Sequence, residues 1–231
     1  MIRALVFGGP LSPIGWQIGF LRQPFDVACR VTLEWSAQIA SAFSLEAPRS
    51  RAVGAGDLLT SLRFLDPLQT PPRRELLVGG DAGWTAHFMN CHLGGDSVSW
   101  TGHLSQVLAC EAVKATHIPQ GDYPYPATAF ELFGPTGGRL GYVRTIRAGL
   151  ESRWTFETSG EVQPFEEPER YAARQIRDRF TRDTLIRYLA ALGIDVDRES
   201  WWGDALLIES GGGTQGREST LAETRREYGI R

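Results

Sequence analysis

The apolar residues of this 231-residue chain change their period twice, and that change constrains the fold more than any other feature. From Pro24 they recur at three- and four-residue steps. Phe25, Ala28, Trp35, Ile39 and Phe43, with Val31 alongside, make one helical stripe. Asp26 falls in its first turn, where the helix dipole favours an anion, and the leading proline costs no hydrogen bond. A shorter helix is expected over residues 57–65, where Leu58, Leu59, Leu62 and Leu65 share a face. Asp66-Pro67 and Pro71-Pro72 then stop it and place a boundary near residues 67–73.

Beyond that connector the pattern becomes extended. Residues 75–78 and 84–89 read as a hairpin around Gly79-Gly80-Asp81-Ala82-Gly83. A helix is expected over residues 100–112. Strands follow over 113–118, 128–133, 140–146 and 153–158, the last with Trp154 and Phe156 on one face. Helical spacing returns from Pro168, through Tyr171, Ala172, Ile176 and Phe180. It resumes in a second helix capped by Thr181 and closed by Gly193. Segregated runs of helix and strand mean α+β: a mostly antiparallel sheet of about six strands, interrupted by one helix, with helices before and after it. The expected division is an N-terminal helical region (1–66), a sheet domain with C-terminal helices packed on it (67–208) and a loosely attached polar tail (209–231), the alternative being one compact domain overall.

Composition narrows the function classes. Hydrophobic residues make up 42% and charged residues 22%, with a formal net charge of -3. That is too apolar for a disordered chain and too acidic for a dedicated nucleic-acid binder, and the apolar runs are too short for a membrane span. Lys114 is the only lysine; every other base is arginine, as codon drift in a GC-rich bacterial genome produces. Cys29, Cys91 and Cys110 form no CxxC pair, so the reading is a cytoplasmic protein with reduced thiols and no cofactor.

Chemistry-bearing residues cluster in the middle. His87, His92, His103 and His117 are the only histidines, and with Asp96 they supply the donor types of a metal site. Their spacing is not that of a zincin helix, so hydrogen-bonded core histidines are the simpler reading and a metal-assisted hydrolase the alternative. Ser97, Ser99 and Ser105 lack a nucleophile-elbow signature. The glycine pairs match no nucleotide-binding loop and read as turns. Arg139, Arg144, Arg147 and Arg153, interleaved with Tyr142 and Trp154, sketch a basic strip that a sheet could offer to RNA. The acidic balance argues against it and for salt bridges.

Tryptophan is abundant, with seven in the chain. Trp201 and Trp202 are adjacent and cannot both face inward from a regular strand, so one is expected at a contact surface.

The segments Gly83-Trp84-Thr85-Ala86-His87-Phe88, Tyr142-Val143-Arg144-Thr145-Ile146 and Pro164-Phe165-Glu166-Glu167 resemble a group of bacterial proteins common in actinomycete-type genomes. The likeness runs from about Leu65 to Trp202. It implies a bacterial cytosolic origin and no particular activity. Met89 stands where the group carries an acid, which argues against acid–base chemistry at that point.

The functional expectation is a non-enzymatic domain that binds another protein, of the toxin-neutralising (immunity) type. Trp84, Tyr142, Arg144, Trp154, Trp201 and Trp202 are its candidate contact residues.

Overall fold

A computed structural model describes residues 4–55, 57–138, 141–211 and 216–230. The chain is α+β. Nine strands form one sheet in the order β2-β10-β4-β5-β1-β6-β7-β8-β9, and every pairing in it is antiparallel. The strands are β1 (Gln17–Leu21), β2 (Arg49–Ala55), β4 (Arg74–Gly80), β5 (Thr85–Met89), β6 (Ala112–Ile118), β7 (Ala127–Phe133), β8 (Tyr142–Leu150), β9 (Trp154–Gly160) and β10 (Trp202–Glu209). A separate two-stranded sheet pairs β3 (Leu68–Thr70) with β11 (Arg217–Ser219). Five α-helices complete the described elements: α1 (Phe25–Ala42), α2 (Leu58–Leu62), α3 (Val98–Val107), α4 (Arg182–Ala191) and α5 (Leu221–Tyr228).

The expected sheet of about six strands lacks three of the nine. Each missing strand has a physical reason for reading poorly. β1 is the central strand, between β5 and β6, and carries a glycine at its midpoint. A Cβ on Gly19 would lie 2.9 Å from Ser97 Cβ and 3.2 Å from the Trp100 ring, so close packing of α3 demands glycine in a place where glycine weakens the strand signal. β2 is an edge strand interrupted by arginines and Gly54. β10 starts with Trp202-Gly203-Asp204 and has a register shift between Asp204 and Leu206. The region 1–66, expected to be helical, therefore gives two strands to the same sheet as residues 74–160.

Two apolar layers enclose the sheet. On one face Ile18, Phe20, Val78, Phe88, Val113, Phe130 and Ile146 pack with α2, with α4 and with the buried Val6–Phe7 segment. On the other, Leu21, Leu77, Ala112, Phe133 and Ile208 pack beneath Ala28 and Val31 of α1 and Trp100 and Leu104 of α3. The stripe on α1 is shorter than its spacing implies: Ile39 and Phe43 are exposed, Phe43 at 72%.

Three further expectations change. Residues 168–180 form two short 3-10 turns, Pro168–Ala172 and Ile176–Asp178, instead of a helix. Their side chains are drawn into contacts with the sheet: Tyr171 packs on Phe156 and bonds Glu166, and Arg179 lies over Phe156. Trp201 and Trp202 are both buried, because Trp201 ends a 3-10 turn (Glu199–Trp201) and only Trp202 belongs to the strand. Their indoles donate to the Gly193 and Val196 carbonyls. The tail is anchored, since β11 pairs with β3 and α5 has a Thr220/Glu223 capping box. Gly212 and Gly213 lie outside the described residues.

Candidate functional site

Beyond the end of α3, the face that α1 and α3 cover elsewhere is open over β6–β9. Antiparallel register sets the side chains there in rows. Lys114, Glu131, Thr145 and Ser159 stand opposite one another on successive strands, and two residues on, Thr116, Ala129, Arg147 and Glu157 do the same. The small side chains Ala127 and Ala129 make the floor concave. The result is a groove of about 660 Å³ whose lining also includes Tyr125, Tyr142 and Gln17.

The charges in the groove are organised around the chain's only lysine. Lys114 Nζ lies 2.9 Å from Asp96 Oδ1 and 3.1 Å from Glu131 Oε2. The Tyr142 hydroxyl donates to Glu131 Oε1 at 3.4 Å. Burial, with Glu131 and Asp96 nearby, pushes the Tyr142 phenol up to about 12, so it remains a donor. Arg147 pairs with Glu151 at 3.2 Å. Glu157, directly across the ladder from Arg147, is exposed and has no ion pair among the described residues. The lining holds two cations, Lys114 and Arg147, and two carboxylates, Glu131 and Glu157; the ion-pair partners Asp96 and Glu151, which stand outside that lining, bring the cluster to two cations and four carboxylates.

Five of the six candidate contact residues lie outside the groove. Trp84 is buried and donates to the Leu192 carbonyl. Trp201 and Trp202 are core residues, as above. Arg144 is buried on the opposite face, forked onto Glu166 by two contacts of 2.8 Å. Tyr142 lines the groove, and Trp154 lines a second hollow of about 410 Å³ with His117, Arg177 and Arg182.

Among the described residues, Arg144 and Arg147 do not share a strip. Arg144 and Arg147 are three apart on one strand, and an odd spacing sends them to opposite faces. Tyr142 and Arg144 would share a face, but a register shift at Leu132/Phe133 separates them. Arg139 lies outside the described residues.

Among the described residues no three His, Cys, Asp or Glu side chains meet as metal donors. Each histidine has its own partners. His87 bonds Ser97 Oγ (3.1 Å) and Glu75 Oε2 (2.8 Å) and stacks on Trp100. His92 bridges Thr70 and Ser219 at 2.8 and 2.9 Å. His103 stacks on Trp35, and His117 bonds Thr128 Oγ1 at 2.9 Å. Asp96 belongs to the Lys114 cluster instead.

Ser97, His87 and Glu75 form a serine–imidazole–carboxylate chain that sequence reasoning did not assemble, because it joins α3 to β5 and β4. Ser97 and His87 are both buried, and Gly19 packs against the Ser97 Cβ. The chain fixes the imidazole between two elements and keeps the Ser97 hydroxyl away from the surface. Lys114 and Glu131 were also missed. The available signal was a lone lysine in an otherwise arginine-only chain, placed on a strand.

Compared with family models, curated proteins and solved structures, the chain matches none.

Proposed function

We propose that the chain is a protein-recognition domain of the toxin-neutralising type, without a reaction of its own, and that its partner docks on the open groove of β6–β9. The observation that carries this reading is the unequal cover of the sheet. One face is packed along its length, whereas the other is left open where four consecutive strands hold their side chains in fixed rows. Such a platform loses little conformational entropy on binding, and its tyrosine-bearing lining and polar rim match the anatomy of a protein interface. A cytoplasmic location and kinship with the bacterial group described above belong to the same reading.

Ala129 is the residue to test, because its methyl side chain lines the groove and takes part in no hydrogen bond or ion pair. Ala129→Arg fills the groove and should abolish co-purification of a partner while the melting temperature stays within a few degrees. Gln38→Arg, on the outer face of α1, should leave capture intact. Retention of the partner by Ala129→Arg, or partner-induced exchange protection confined to elements other than β6–β9, would refute the reading.

A further inference from the structure

Resting on that docking site, we infer that the groove receives an arginine or lysine side chain from a basic protein partner. Glu131 and Glu157 would be the accepting carboxylates, and Tyr125 and Tyr142 the flanking rings. Charge complementarity selects this occupant. Arg147 is balanced by Glu151 and Lys114 is outnumbered by Asp96 and Glu131; Glu131 lines the groove, and Asp96 and Glu151 stand just outside its lining. Glu157 is left exposed opposite an arginine that is engaged elsewhere. The floor is made of alanine and threonine, so a long side chain can enter without displacing a bulky one. Aromatic side chains in the lining suit a guanidinium in particular, which stacks on a tyrosine face while its N–H groups reach carboxylates. The Tyr142 hydroxyl already holds one Glu131 oxygen, leaving Oε2 shared between Lys114 and an incoming donor. Phosphate is disfavoured by the same excess of negative charge.

The test uses the full chain with three probes: acetylated and amidated hexa-arginine, the matching hexa-glutamate and a short single-stranded oligonucleotide. Hexa-arginine should bind saturably, weaken with added salt and shift backbone amide resonances of β6–β9. Glu157→Gln, at an exposed position where folding is not at risk, should weaken it roughly fivefold, the effect of one screened charge pair. Glu131→Gln should weaken it at least as much. Glu199→Gln, on another surface, should leave it unchanged. Equal affinity for the Glu157→Gln variant, shifts confined to other elements, or preference for hexa-glutamate or the oligonucleotide would each overturn the inference. If hexa-arginine fails to bind while a captured partner still protects β6–β9, the docking site stands and only the basic occupant falls.

Discussion

Arg144 and Glu166 are 3% and 0% exposed, and their forked contact ties β8 to the segment after β9. Burial alone would raise the Glu166 carboxyl, but Arg144, the Gln163 amide and the Tyr171 hydroxyl hold it below the ordinary range. Replacing one partner leaves an uncompensated buried charge. Arg144→Ala should therefore lower unfolding free energy by about 3–5 kcal/mol in urea titrations. His117 is the residue whose titration should be visible in solution. Burial, aided by Arg182 and opposed by Asp183, brings it down to about 4. A depressed folded value means the unfolded chain protonates first. Stability is therefore complete above about pH 6.5 and drains away as pH falls through about 4. His117→Gln should flatten that slope, and an unchanged slope in the variant would show that other groups set the acid limit. Gly80 makes a steric case of its own. A Cβ there would sit 2.3 Å from the Trp201 ring, so Gly80→Ala should cost about 1–3 kcal/mol by overpacking.

Among the elements, the C-terminal unit of β11 and α5 is held by few but specific contacts. His92 joins Thr70 of β3 to Ser219 of β11, Ser219 reaches Thr224 of α5 at 2.7 Å, and Asp66 accepts from the Leu221 amide at 2.8 Å. Thr224 is fully buried. Truncation after Ser210 should remove exchange protection from the Leu68–Thr70 amides while leaving the nine-stranded sheet protected. Loss of protection throughout the sheet would show that the tail is integral to the main core. Polarity alone made this segment read as loose. What anchors it is pairing with a strand some 150 residues away in sequence, which no local pattern reveals.

At the scale of the molecule, β1 and β2 precede the proline-bearing connector, yet both lie in the sheet formed by the strands after it. Unfolding should accordingly be one cooperative transition, with coincident circular-dichroism and tryptophan-fluorescence curves. Two resolved transitions would instead support a division near residues 67–73. The six strands that were legible all show β-rich runs bounded by turn residues. The three that were not are a glycine-bearing central strand, an arginine-bearing edge and a short apolar run with a bulge, and for each the deciding interaction comes from a neighbour. The candidate site was legible only through Tyr142, because Lys114, Glu131, Arg147 and Glu157 come from four strands and meet only when the register is set.

Local chemistry by itself determined the helix starts at Pro24, Asp57 and Thr181, the hairpin at residues 79–83, the α+β class and the antiparallel habit of the middle of the chain. Caps, turns and periodicity are properties of neighbouring residues, so the chain carries them wherever it folds. Tertiary structure alone decided which strand sits at the centre and which face each arginine takes. It also decided that both adjacent tryptophans are buried and that one stretch of sheet stays open around the only lysine. Those outcomes depend on register and on what packs above the sheet. A slip of one residue in the register of any of these strands would turn that strand's groove side chains to the other face.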